Sequence, residues 1–245
     1  MRAQTRLILA LGSLVLLASA TAFAGSITIS GNTTASWLSW SSTDITIHNY
    51  GDHQPYWNGT SSDGNPPGNI GNVLLANGMG TLKYWGENSS STGFDPSFYF
   101  SAASFTATYE FHYASYYGSD TFGYYYIGDT THLYPLLGPN TATKSFTPTS
   151  AFGLYIQSGD GHIYYTQSNL NTADKNDQHF AVFLQNSMTL QIGIEDKTYA
   201  SGDRDFQDMV IKMVDPPAPA PEAPFLIMLG IGLAAVSLLA CRFRP

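Results

Sequence analysis

From Phe105 to Tyr113 two kinds of side chain alternate without a break. Phe105, Ala107, Tyr109, Phe111 and Tyr113 fall on one side of an extended chain, and Thr106, Thr108, Glu110 and His112 on the other. A period of two held this long does not fit a helix, whose faces repeat every 3.6 residues, and it predicts a strand with one face on a core. Further strands are expected at Asp44–His48, Phe122–Ile127, Phe152–Gln157, His162–Thr166, Phe180–Gln185, Thr189–Ile194 and Met209–Val214. Ser158-Gly159-Asp160-Gly161, between two of them, has the composition of a hairpin turn. Outside the two ends of the chain no long stretch has helical spacing. Many short strands joined by Gly, Asn, Asp and Ser turns predict an all-β body, a single β-sandwich or jelly roll.

The ends of the chain read as addresses. Arg2 and Arg6 precede an apolar run from Leu7 to Ala20, and Ala22-Phe23-Ala24 fits a small-x-small cleavage site. Residues 1–24 therefore have the pattern of a signal peptide, with the Sec translocon and signal peptidase as expected partners. Residues 215–224 form a Pro/Ala linker ending in Pro221-Glu222-Ala223-Pro224. Residues 225–241, Phe225 to Cys241, are uncharged and predict a transmembrane helix, and residues 242–245 form a basic end favouring the cytoplasm. Seventeen residues as a helix span roughly 25 Å, slightly short of a hydrocarbon core of about 30 Å.

That order of motif, apolar span and basic end resembles the PEP-CTERM sorting signal of Gram-negative bacteria. The resemblance implies recognition by an exosortase-type membrane protease-transferase. The protein would be exported, tethered to the inner membrane before processing, and then released to the cell surface or extracellular matrix. The family motif is Pro-Glu-Pro, and here Ala223 separates Glu222 from Pro224.

Charge narrows the class of partner. Residues 25–214 carry six basic residues against sixteen acidic ones, a balance of −10. Nucleic acid needs Lys and Arg to neutralise phosphate, so a nucleic-acid ligand is not expected. Divalent cations and neutral glycans are compatible with this body. The one cysteine, Cys241, lies in the tail, so a catalytic cysteine or a disulfide in the body is excluded.

Carboxylates concentrate after Ile194. Glu195, Asp196, Asp203, Asp205 and Asp208 lie in a loop between two expected strands, with Lys197 and Arg204 among them. Calcium takes six to eight oxygens, and a loop of carboxylates can supply several of them. The spacing is not that of an EF-hand, because Asp208 stands where that loop needs glycine. The alternative is a solvated loop whose Asp side chains cap turns. Gly193-Ile194-Glu195-Asp196, followed by Asp203-Arg204-Asp205-Phe206-Gln207-Asp208, resembles the closing signature of a β-sandwich domain of unknown function in bacterial surface proteins. Thr121-Phe122-Gly123-Tyr124-Tyr125 and Asp177 to Phe183 resemble other strands of that domain, and the likeness runs from about Tyr109 to Val214. A calcium link proposed for the family would map to the same five carboxylates.

A second candidate site is aromatic. Tyr56, Trp57, Tyr84 and Trp85 lie in a turn-rich region and would suit stacking on sugar rings, an exopolysaccharide for example, or else cap the core. Six histidines are scattered without ligand spacing and are read as surface or strand-face residues. No common catalytic motif is present, so the chain is read as non-enzymatic. A glycosidase pairing Glu110 with Glu195 or an aspartate is the remote alternative.

Overall fold

The computed structural model describes residues 27–31, 35–41, 68–87, 97–112, 119–198, 200–202 and 205–215. The expected signal peptide, the Asp44–His48 strand, the linker and the 225–241 span lie outside them. Among the described residues no helix is long and apolar enough to cross a membrane. Residues Gly25–Pro216 form one compact unit.

That unit is built of antiparallel strands: β1 (Ile29–Gly31), β2 (Ala35–Ser41), β3 (Thr81–Glu87), β4 (Phe98–Phe100), β5 (Phe105–His112), β6 (Thr121–Tyr126), β7 (Asp129–Leu137), β8 (Thr143–Phe146), β9 (Phe152–Gln157), β10 (Ile163–Tyr165), β11 (Phe180–Asn186), β12 (Thr189–Ile194) and β13 (Met209–Val214). One short helix, α1 (Ile70–Ala76), lies between β2 and β3. The first sheet has the order β1-β4-β9-β6-β7, with β10 also paired to β9. The second has the order β2-β3-β11-β12-β13-β5-β8.

Alternation along the strands decides what lies between the sheets. Phe152, Leu154 and Ile156 of β9 share one core with Leu190, Ile192 and Ile194 of β12 and Met209, Ile211 and Met213 of β13. Rings cross the gap: Phe152 of the first sheet lies 5.5 Å from Phe105 and 5.8 Å from Phe146 of the second. The two sheets thus pack face to face, which is the all-β arrangement expected from the pattern.

A second core lies on the opposite face of the second sheet. Trp40, Leu82, Ala181, Phe183, Phe206 and Val210 are covered there by Ile70, Val73 and Leu74 of α1. This is why Phe180-Ala181-Val182-Phe183 is a continuous apolar run rather than a half-buried one. Asn69 caps α1 by accepting the Asn72 amide at 3.0 Å. The turn-rich stretch therefore contains a helix, too short to leave a clear 3.6-residue repeat.

The strand expected from Phe105 is present, but its alternation breaks. Tyr109 pairs with Ile211 and Phe111 with Val210, so the register shifts at Glu110. The shift falls within the expected face, which is described as far as Tyr109, and Tyr113 lies outside the described residues. Strands β1, β2, β3, β4, β7 and β8 were not expected from the pattern. β7 and β8 are edge strands, and Pro135 is tolerated in β7 because one side of an edge needs no ladder partner.

Phe152 is fully buried and meets Phe100, Phe105, Tyr124 and Phe146. Phe152→Ala should cost about 3–5 kcal/mol of stability, read as a lower urea midpoint with an unchanged slope. A shift near zero would contradict a core that closes on this ring.

Candidate metal centre

The first sheet ends beside the acidic segment, and the second sheet runs into it. Ile194 closes β12, and Glu195 and Asp196 follow it directly. Asp208 comes immediately before Met209, the first residue of β13. Because β12 and β13 are neighbours, the two ends of the loop meet, and an isolated parallel bridge joins Ile194 to Gln207. Glu195, Asp196 and Asp208 each offer a carboxylate oxygen, and these atoms lie within 4.8 Å of one another. All three residues are buried, at 3%, 0% and 6% exposure.

Several local features hold this geometry. The Asp196 amide donates to Asp208 Oδ2 at 3.0 Å, which locks one end of the loop to the other. Phe206 takes a left-handed backbone with φ of 54°, a conformation costing a bulky residue roughly 1–2 kcal/mol. Its buried ring packs under α1, and this anchorage holds the turn. The Ile70 amide donates to the Asp205 carbonyl at 2.8 Å, so α1 is docked on the same segment. Gly193 admits the segment: a Cβ there would lie 2.6 Å from the Phe206 carbonyl oxygen. Gly202 similarly lies against Glu195, where a Cβ would sit 2.6 Å from Oε1.

Behind the loop a buried histidine fixes the Glu195 backbone. The Glu195 amide donates to the His179 carbonyl at 3.0 Å. His179 Nδ1 donates to the Glu195 carbonyl at 3.1 Å, and Nε2 lies 3.0 Å from Asp174 Oδ2. The ring stacks on Tyr164 with centroids 3.6 Å apart. The expectation of a surface or strand-face histidine is corrected for His179, which is almost fully buried. Burial, then the charges of Asp160, Asp174, Asp196 and Glu195, push the Tyr164 phenol up and keep it neutral.

Both carboxylate oxygens of Asp196 are buried with no hydrogen-bond donor. Asp208 and Glu195 lie beside them, and the charge of Lys197 opposes that of Asp120 in acting on Asp196. Burial, and then the charge of Asp120, push Asp196 up to about 6. Burial, and then the charges of Glu195 and Asp196, push Asp208 up strongly. Such a group is satisfied either by shared protons or by a cation.

Of the five carboxylates expected to bind calcium, the structure brings together Glu195, Asp196 and Asp208. Asp205 is buried, but its oxygens are engaged within its own turn. Oδ1 accepts the Gln207 amide at 3.1 Å, and Oδ2 accepts Gln207 Nε2 at 2.9 Å. Asp203 lies outside the described residues. Asp120, 75 positions before Glu195, was not singled out in the sequence, and its charge acts on Asp196.

The aromatic candidates do not converge in the same way. Tyr84 and Trp85 are successive residues of β3 and therefore face opposite sides of the sheet. Tyr84 packs against the α1 core, and Trp85 against the core between the sheets, 5.3 Å from Trp37. They do not form one flat platform. Tyr56 and Trp57, and the motif Pro221, Glu222, Ala223 and Pro224, lie outside the described residues. Glu110 is exposed and pairs with Lys212 at 3.4 Å.

Residues 119–214 match the model of a domain of unknown function, DUF4114. The matched stretch runs from just before β6 to the end of β13 and so contains Asp120 and the whole carboxylate group. It lies within the stretch that resembles a surface-protein sandwich domain. No curated protein matches the chain.

A carboxyl whose folded pKa lies above its unfolded value binds more protons folded than unfolded, so stability falls as pH rises through that interval. Asp196 and Asp208 are both shifted in this direction. In chelator, the melting temperature of the chain should therefore rise as pH falls from about 7 to about 5. With calcium in excess the slope should flatten, because the cation replaces the protons. A slope of the opposite sign in chelator would show that these carboxylates are not crowded in solution.

Proposed function

We propose that this chain is a non-enzymatic, exported surface or matrix protein whose β-sandwich body binds a divalent cation, with calcium the best fit. The observation that carries the cation reading is Asp196, fully buried, with neither carboxylate oxygen hydrogen-bonded and with Glu195 and Asp208 beside it. The donor set is oxygen alone, which suits hard cations rather than zinc or copper. Lys197 acts on Asp196, yet burial and the neighbouring carboxylates still push Asp196 up, and a metal ion would supply the remaining positive charge. A buried ion held by the loop between β12 and β13 would serve the structure of the body.

Export is supported by the residues at the two ends. The n-region, apolar run and cleavage site at 1–24 fit secretion through the Sec route. Pro221-Glu222-Ala223-Pro224, the 225–241 run and the basic end fit sorting by an exosortase-type partner. Exopolysaccharide binding is a lesser reading, since Tyr84 and Trp85 face opposite sides of β3.

Titration calorimetry on the purified chain should show calcium binding, and Asp196→Asn with Asp208→Asn should weaken it by at least about tenfold. Equal affinity in the double variant would refute the site. In the host, scrambling Pro221-Glu222-Ala223-Pro224 should leave the protein at its unprocessed mass in the inner membrane. Unchanged mass and distribution would refute sorting through that motif.

A further inference from the structure

We infer that the exposed ring of Tyr134 is a stacking platform for a neutral hexose unit, so that the hairpin of β6 and β7 binds a neutral polysaccharide. This goes beyond the cation reading and does not depend on it. The observation is a run of near-parallel rings that leads out of the core. Tyr124 of β6 stacks on Phe146 of β8, with centroids 5.3 Å apart and planes at 23°. It also stacks on Tyr134 of β7, at 4.8 Å and 12°. Phe146 is 8% exposed, whereas Tyr134 is 38% exposed. Tyr126 stands edge-on beside both tyrosines, 5.3 Å from Tyr134 and 5.7 Å from Tyr124.

These rings are held in place. Tyr124 and Tyr134 are paired across neighbouring strands. The Tyr126 hydroxyl lies 3.3 Å from Thr149 Oγ1 and accepts the Thr149 amide at 3.3 Å. Lys144 Nζ donates to the Pro135 carbonyl at 3.2 Å, which fastens β8 of one sheet to β7 of the other. A ring fixed in this way loses little freedom when a ligand lies on it.

The rim decides the chemistry of the ligand. Asp129 and His132 lie on β7 between the hairpin turn and Tyr134, 2.8 Å apart and both exposed. Thr131 steadies Asp129 by donating its amide and its hydroxyl to Oδ1. A hexose ring offers C–H groups to an aromatic face, and hydroxyls to carboxylate, imidazole and phenol. A nucleic-acid base would also stack, but the balance of −10 in residues 25–214 disfavours phosphate and uronate polymers. A second copy of the chain is a poorer occupant. Among the described residues the exposed large hydrophobic side chains are Tyr134 and Leu75 of α1, on different sheets. A stable dimer buries about 800 Å² on each partner.

Affinity electrophoresis of the full chain through gels holding a neutral glucan, mannan or galactan tests this. At least one should retard the parent. Tyr134→Ala should weaken that binding by at least about tenfold, and Tyr134→Trp should keep it. Both variants should melt close to the parent, because the ring is exposed. Retardation by none of the three polymers would overturn the inference, as would equal affinity in Tyr134→Ala. Tighter binding to polygalacturonate or oligothymidylate would overturn the neutral class. Chelator should leave retardation unchanged. Retardation that needs calcium and survives Tyr134→Ala would place binding at the loop between β12 and β13 instead. A dimer in sedimentation that Tyr134→Ala abolishes would make this face an interface between copies. A parent chain that binds no calcium refutes the cation reading alone.

Discussion

Carboxylates buried side by side need positive charge or protons between them, and the end of this sandwich is arranged around that requirement. Glu195, Asp196 and Asp208 are held within 4.8 Å by strand pairing, by the Asp196 amide on Asp208, and by Phe206 locked under α1. None of these restraints relaxes the repulsion. They fix its geometry, which is what a cation of defined size requires of its ligands.

The rest of the body supplies the rigidity. The core between the sheets is rich in phenylalanine, and contacts such as Phe100 on Phe152 and Phe105 on Phe152 span strands far apart in sequence. The second core, under α1, acts differently. It covers the outer face of the second sheet where β11 and β13 pass, and through Ile70 and Phe206 it reaches the segment that positions Asp208. Packing and site are therefore one mechanical unit: α1 has no ligand to offer, yet it determines where the loop turns.

Much of the fold was legible in the chain because strand periodicity is local. Phe152–Gln157, Thr189–Ile194 and Met209–Val214 form strands with the expected bounds, and Phe180–Gln185 extends by one residue. Where pattern and structure differ, the reason is also physical. Pro135 lies in an edge strand whose ladder has only one side, so the usual penalty does not apply. The shift at Glu110 is a response to β13, its neighbour, and leaves no trace in the alternation of β5 itself. Helix α1 has seven residues, about two turns, and it is fixed by the face it covers rather than by its own repeat.

The chain by itself determined an all-β body with an acidic segment between two strands, because side-chain periodicity and charge are properties of consecutive residues. The apolar runs at its two ends are legible for the same reason. Only the tertiary structure decided which carboxylates meet. Asp205 lies between the ligand candidates in sequence, yet its oxygens are taken by Gln207. Asp120 is distant in sequence, yet its charge acts on Asp196. Spacing along a chain places a residue on its strand, but the distance between two side chains on different strands is set by how the sheets pack.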